Sequence, residues 1–420
     1  MKNTKFINIF IVVFVDLLGF SLILPLLPYY AETFGATTEI IGFLVGSYAA
    51  AQLIGAPILG RLSDRIGRRP VLLMSVAGTV AGFVLLGFAA PIGHFLAAIF
   101  KSNAINSFII GVLFFSRILD GVTGGNVTVA QAYITDLSDE QNRAKSLGLI
   151  GAAFGLGFII GPAVGGTLSQ WGYNLPALVA ASLSFLNLLS IFFFLPESLT
   201  NERKDAALRR KRVPFSMGAM IQAFRRPQVG PLLQVRFFYG LAFVIFQSIF
   251  ALFTQALGFT SQTTGFVLAY VGIVIVVVQG GLIGILTRKF CENRLITTGL
   301  WIMSGALLAW AFTGKLWILL IVLLPLASSG GMLNTVTQSA ITKLVAPEEV
   351  GGILGVTTSL EAVTRVLAPS IGGFLIQYIG IWAPGVFAAM LILLTITLTY
   401  RQIILPTRRD RLEVVNCPES

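Results

Sequence analysis

The feature that most constrains this chain is a succession of twelve apolar stretches, each about as long as a bilayer is thick. A membrane-spanning helix needs about 20 predominantly apolar residues. Such stretches fall at 6–30, 40–59, 71–90, 107–134, 146–168, 175–195, 229–253, 263–286, 295–313, 316–341, 352–375 and 382–404. Only 11% of the 420 residues are charged and 55% are hydrophobic, whereas a soluble globular chain carries about 25% charged residues. The expected class is therefore all-α integral membrane, because a helix satisfies its own backbone inside lipid. The start, MKNTKF, has the basic flank of a signal peptide. The apolar run behind it extends to Tyr30 without a small-residue cleavage site, so it reads as the first span.

One long polar segment, 197–227, divides the spans six and six and carries the run Arg209, Arg210, Lys211 and Arg212. The expected organisation is a first six-helix bundle over 1–196, a cytoplasmic linker over 197–227, a second six-helix bundle over 228–404 and a cytoplasmic tail over 405–420. Orientation follows from the basic residues. With both termini inside, 24 of the 29 Lys and Arg lie on inner segments, and only Lys101 and Lys315 on outer ones. The same distribution accounts for the net charge of +11: linker and tail lie against an anionic inner leaflet, and no nucleic-acid partner is needed. The two cysteines, Cys291 and Cys417, fall on inner segments, where no disulfide framework is implied.

The halves are related. Shifted by 207 positions, 15 of the 52 residues from Leu119 to Gln170 recur without a gap. Gly124 falls on Gly331, Gln131 on Gln338, Pro162 on Pro369, and Gly165 and Gly166 on Gly372 and Gly373. An internal repeat of this length makes the chain two copies of one architecture.

Charges inside spans are costly, about 2.5–3.5 kcal/mol each on insertion scales, and so mark function. Arg117 and Asp120 are spaced i,i+3, and Glu361 and Arg365 i,i+4, so each pair can meet along its own helix. Asp16 has no local cation. Burial disfavours an ionised carboxylate and a nearby Arg restores it, which suits Asp16 to carrying a proton with Arg117 as its state-dependent partner. The alternative for Asp16 is a static ion pair. The repeat places the charges asymmetrically: Arg117 and Asp120 become Leu324 and Ala327, while Glu361 and Arg365 replace Phe154 and Phe158. The remaining polar span residues, Gln52, Asn126, Gln131, Gln234, Arg236, Gln247, Tyr270, Gln279, Asn334 and Gln338, are the expected lining of a wet substrate cavity. The single histidine, His94, reads as a solvated outer-loop residue. It excludes an HExxH zinc site and a Ser-His-Asp triad within the chain, so neither a metal site nor an enzyme is expected.

Three motifs carry a resemblance. The first inner loop reads GRLSDRIGRRP over 60–70, with Gly60, Asp64, Arg65, Gly67, Arg68, Arg69 and Pro70 in a fixed pattern. Arg117 is followed by Gly121, Gly124 and Gly125, and a glycine-dense run follows with Gly151, Gly155, Gly157, Gly161, Pro162, Gly165 and Gly166. In this order and topology they resemble the signature loop, the fourth-helix arginine motif and the fifth-helix antiporter motif of the major facilitator superfamily. Asp16 followed by GFSLILPLLP resembles the first helix of its drug:proton antiporters, particularly the tetracycline:proton group. The second-half loop departs from the first, with Arg288 where Asp64 stands.

The resemblance implies two six-helix bundles rocking about a central site. It implies that Asp64 acts at the inner interface of the halves and favours the outward-open state, and that the glycine run is a packing hinge against the eighth helix. Read from their own chemistry, the glycines permit close helix contact. The expected function is proton-coupled export of a small amphiphilic or drug-like molecule by alternating access. No cofactor is expected beyond the proton as coupling ion. The expected partners are the substrate, protons and the bilayer, and the expected protein is a monomer in the cell membrane with both termini cytoplasmic. The alternatives are a proton symporter or facilitator for sugars or metabolites, and a non-transporting receptor or scaffold on the same fold. Cavity charge does not choose the cargo, since Arg117, Arg236 and Arg365 balance Asp16, Asp120 and Glu361.

Overall fold

The computed structural model describes residues 2–137, 143–199, 224–227, 229–345 and 349–401. Most of the expected linker and the whole tail lie outside the described residues. Every regular element among those described is helical. Among the described residues, ten helices are long and apolar enough to cross a membrane, and the shorter apolar helices Ile7–Ile23 and Ala383–Thr399 fall on the first and last expected spans. The chain falls into two compact units, Met1–Arg212 with Ala251–Ala269, and Val213–Phe250 with Tyr270–Ser420.

The first unit contains α1 (Lys2–Ile23), α2 (Leu27–Glu32), α3 (Thr38–Ile66), α4 (Arg68–Gly87), α5 (Ala89–Ile99), α6 (Ile105–Thr123), α7 (Asn126–Leu137), α8 (Arg143–Leu168) and α9 (Asn174–Phe194). Helix α1 runs along α8 and α9, α3 along α6, and α4 between α6 and α9. Their shared core includes Val13, Leu17, Val71, Val76, Tyr133, Ala153 and Ile191. On α9, Phe185, Leu186, Phe192 and Phe193 are exposed, as a lipid-facing surface requires.

Three breaks in this unit have local causes. The first span stops at Ile23 because Pro25 has no amide to continue the ladder and its ring disfavours helix before it; Pro28 then sits in the first turn of α2. The second break is the signature loop, expected as an inner loop over 60–70. It is helical on both sides of Gly67, whose φ of +118° only glycine adopts easily. The side chain of Glu197 accepts hydrogen bonds from the amides of Arg68 (2.9 Å) and Arg69 (3.1 Å), capping α4 from a distant segment. The third break divides the expected span 107–134 at Gly124 and Gly125. Gln52 Nε2 donates to the freed carbonyl of Gly124 (3.0 Å) and Ser75 to that of Thr123.

His94 is a correction: it lies on α5, not in a loop, although it is exposed as expected. The turn Ala251–Ala269 is tied into this unit by hydroxyls. Tyr29 Oη lies 2.7 Å from Thr264 Oγ1, and Ser169 Oγ 2.7 Å from Ser261 Oγ.

The second unit contains most of α10 (Gly230–Ala256) and, from Tyr270 on, the second part of α11 (Ser261–Val277). It also holds α12 (Ile283–Lys289), α13 (Glu292–Ala311), α14 (Leu316–Lys343), α15 (Val350–Tyr378) and α16 (Ala383–Thr399). Helix α13 packs against both α14 and α16. Phe246 stands edge-on to Trp310, their ring centroids 5.1 Å apart, and edge-on to Phe250 at 5.3 Å. A π-helical turn, Val278–Leu282, joins α11 to α12 and holds Gln279 with two glycines that have open space beside them. Cys291 stands just before α13, and Cys417 lies outside the described residues.

Candidate functional site

The break between α6 and α7 builds the charged centre of the first unit. It ends α6 one turn after Asp120 and makes Asn126 the first residue of α7. Arg117 Nη1 pairs with Asp120 Oδ2 at 3.2 Å, both side chains being almost fully buried. The guanidinium lies over the Phe83 ring, 5.3 Å from its centroid, and Thr79 is a buried neighbour of Asp120. Gly82 makes room for this, since a methyl there would meet Asp120 Cβ at 3.0 Å. Asp16 is also buried, at 8% exposure. Its carboxyl lies near Asn126 and the Asp120 carboxylate, and it forms no ion pair among the described residues. Arg117 Nη1 is thus taken by Asp120, while its Nη2 is buried without a hydrogen-bond partner among the described residues.

The second unit has its own centre. Arg236, on α10, is buried. Its Nη1 donates to Tyr239 Oη (2.6 Å), the Asn334 carbonyl (2.8 Å) and Thr337 Oγ1 (3.3 Å), and its Nη2 pairs with Glu361 Oε1. The i,i+4 spacing suggested that Glu361 meets Arg365. Instead Glu361 reaches across to Arg236, and Arg365 is exposed. The physical reason is burial: the guanidinium of Arg236 is buried and has no other carboxylate partner among the described residues, whereas Arg365 is exposed. The Glu361 side chain is 38% exposed, so one edge of its carboxylate stays open while the other is held.

The other expected cavity residues divide. Gln52 holds the Gly124 carbonyl and the Tyr48 hydroxyl, which makes it part of the α6–α7 break. Tyr270 donates to the Leu320 carbonyl (3.3 Å), a helix-to-helix tie. Gln131, Gln279 and Asn334 are exposed, and Gln234, Gln247 and Gln338 are half-buried. The Oε1 of Gln338 is buried without a partner among the described residues.

At the signature corner, Arg68 is the hub. Its Nη1 meets Asp64 Oδ1 and Ser63 Oγ, both at 2.7 Å, and its Nε meets Asp136 Oδ2 at 3.0 Å. Asp136 also takes the Ser198 hydroxyl (3.2 Å). Arg65 is exposed, while Arg69 reaches the Phe192 carbonyl. A cleft of about 310 Å³ opens beside the corner, lined by Gly60, Arg61, Asp64, Arg68 and Thr128. Sequence reasoning missed Ser63, Asp136, Glu197, Tyr239 and Thr337. Tyr239 had a signal, as it lies one turn from Arg236 on the same face. Asp136 and Glu197 had none, because their partners come from elements remote in sequence.

The glycine run divides its contacts between two neighbours. Gly157, Gly161 and Gly165 face α1. A methyl on Gly161 would land on the Ser21 hydroxyl and the Leu22 amide, and one on Gly165 on the Leu22 carbonyl. Gly166 and Pro162 face the start of α11, where a methyl on Gly265 would strike the Pro162 carbonyl. At the end of the run α8 thus meets the start of the eighth helix, and Gly157, Gly161 and Gly165 serve α1. Gly151 faces open space, and Gly155 is half-buried.

The chain matches the family model described as Major Facilitator Superfamily over residues 9–314. It is 31% identical to the tetracycline resistance protein, class H, of Pasteurella multocida, covering 90% of each chain. It is 30% identical to the class B protein of Escherichia coli, covering 92% of this chain and 94% of that one. A human relative, solute carrier family 67 member A1, is 29% identical over 92% of this chain and 89% of its own length. Among solved structures, the human organic anion transporter MFSD10 (TETRAN) superposes with a TM-score of 0.66 at 22% identity, covering 95% of this chain and 99% of that one. A D-xylose-proton symporter superposes with a TM-score of 0.69 at 16% identity, covering 92% and 96%. At those identities the two structures speak for the fold alone, twelve membrane helices in two bundles.

Proposed function

Because the chain belongs to the major facilitator superfamily, we propose that it is a proton-coupled antiporter that exports a small amphiphilic molecule, with Asp16 as the proton carrier. The observation that carries this reading is the state of Asp16. It is buried, close to a second carboxylate, that of Asp120, and without an ion pair among the described residues. The Arg117–Asp120 pair beside it is already neutral. Whether Asp16 holds a proton therefore changes the charge of the bundle by one full unit, and an uncompensated charge inside a membrane protein is expensive. Such a group couples proton binding to a change of access.

In this reading the halves 1–196 and 228–404 alternate about a central site, as transporters with internal repeats do. Arg117 holds Asp120 in one access state and turns to Asp16 in the other. The protein works as a transporter, not an enzyme, and as a monomer in the cell membrane with both termini in the cytoplasm. Relatives named for tetracycline resistance make tetracycline the first substrate to try.

The test uses purified protein in vesicles with an imposed pH gradient, tetracycline as probe and a trapped pH-sensitive dye. Wild type should accumulate the drug in step with the gradient and move protons the other way. In Asp16→Asn, gradient-driven accumulation should fall to the protein-free level while drug binding persists. Undiminished gradient-driven accumulation by Asp16→Asn would refute the role of Asp16.

A further inference from the structure

Six charged residues lie at the two centres inside the spans, and the structure accounts for four of them as ion pairs. Arg117 is matched to Asp120 and Arg236 to Glu361. Of the remaining two, Asp16 belongs to the first unit and is the proton carrier proposed above. The other is Arg365, in the second unit. It is exposed and forms no ion pair or hydrogen bond among the described residues.

Its depth makes this unusual. Arg365 sits midway along the span Gly352–Tyr378. At 1.5 Å per residue it lies about 20 Å from either end of α15. An arginine side chain reaches roughly 6–7 Å, so snorkelling to a headgroup region is out of range. An exposed guanidinium at this depth against lipid tails would cost several kcal/mol. Its exposed face therefore meets water inside the protein. Glu361, one turn earlier on the same helix face, cannot neutralise it, because Arg236 holds that carboxylate. Asn334 is exposed on α14, and its carbonyl receives the same Arg236. Together Arg236, Glu361 and Arg365 leave this wet face with one unmatched positive charge.

We propose that Arg365 is the anchor for an anionic group on the transported molecule, a carboxylate, sulfonate or phosphate. This rests on the transporter reading and goes beyond it by assigning the charge of the cargo, which the sum of span charges leaves open. The guanidinium offers a planar fork that matches such an anion with two parallel hydrogen bonds. The Arg236–Glu361 pair has a separate part. It engages one oxygen of Glu361, which leaves Arg365 without an ion pair among the described residues when the site is empty.

The test compares three probes with one aromatic body and different charges: 2-naphthylacetate, 2-naphthylacetamide and 2-(2-naphthyl)ethylamine. Each is titrated at neutral pH against the purified full-length protein in lipid nanodiscs by calorimetry. A charge-assisted bidentate contact in a sheltered site corresponds to about a 10- to 100-fold preference for the anion. Arg365→Gln should bring the anion down to the affinity of the amide and leave the amide unchanged; Arg365→Lys should keep part of the preference. Equal or tighter binding of the amide or the amine by wild type overturns the proposal. So does an anion preference that survives in Arg365→Gln, and so does failure of all three probes to bind. If Arg365→Gln does not fold, as judged by gel filtration, the order of the three probes on wild type and on Arg365→Lys decides. Loss of proton coupling, the failure mode of the antiport reading, is measured by flux and leaves this binding order untouched.

Discussion

Adding one methyl at successive glycines of α8 should change stability in opposite directions, depending on what each glycine faces. Gly151 meets nothing within reach, so Gly151→Ala gains the helix propensity of alanine, about 0.5–1 kcal/mol. Gly157 lies 3.3 Å, methyl to atom, from the Leu17 side chain and backbone. A shift of a few tenths of an ångström absorbs that contact, and Gly157→Ala should be close to neutral. At Gly161 and Gly165 the new methyl strikes backbone atoms of Leu22. Backbone cannot rotate away as a side chain does, so α1 and α8 must separate. Overpacking of this kind costs about 1–3 kcal/mol, and the upper end applies here. Less the propensity gain, Gly161→Ala and Gly165→Ala should each lose about 2 kcal/mol. The assay is thermal unfolding of the four variants in one detergent, followed by tryptophan fluorescence and ranked against wild type. Gly151→Ala should melt highest, wild type and Gly157→Ala together below it, and the other two several degrees lower. Gly161→Ala or Gly165→Ala melting with wild type, or Gly151→Ala melting below it, would refute the packing argument.

Two further outcomes follow from the ion pairs. Arg236→Met takes the cation from the part-exposed Glu361 carboxylate and from the hydroxyls that Arg236 served, at a cost of about 1–2 kcal/mol; adding Glu361→Leu should recover part of that loss, because replacing an ion pair is cheaper than breaking it. A double variant no more stable than Arg236→Met would contradict this. At the surface, Arg226 holds the Glu349 carboxyl below its ordinary value of 4.5 through two hydrogen bonds of 2.8 and 3.0 Å. That contact should be intact above the usual glutamate range and lost only as pH falls through the lowered value, so a carboxyl midpoint by NMR at or above 4.5 would show that the pair does not form in solution.

Much of the fold was legible because the bilayer imposes a simple rule. Every span needs its own apolar length, so the ten long helices and the two shorter ones fall on the twelve stretches read from hydropathy. The breaks inside the spans were harder. At Pro25 a chemical marker was present, yet the run 6–30 was read through it, since apolar length alone carries no information about helix continuity. At Gly124 and Gly125 the break depends on Gln52 and Ser75 arriving to satisfy the carbonyls, and those residues come from other helices. The signature corner shows the same limit. Spacing marked Asp64 and Arg68, but the cap from Glu197 and the contact with Asp136 join residues far apart in sequence.

The sequence by itself determined the class of the protein, its twelve spans, its repeat and which residues carry charge where charge is costly. It could do so because each of these depends on composition within one segment, and the surrounding lipid is the same for all. What the tertiary structure alone decided was who neutralises whom. Local spacing offered Arg365 to Glu361 and left Arg236 unassigned. Packing gave Glu361 to Arg236, across three helices, and left Arg365 open. Coulomb attraction acts over distances in space, and sequence spacing is a guide to those distances only within a single helix turn.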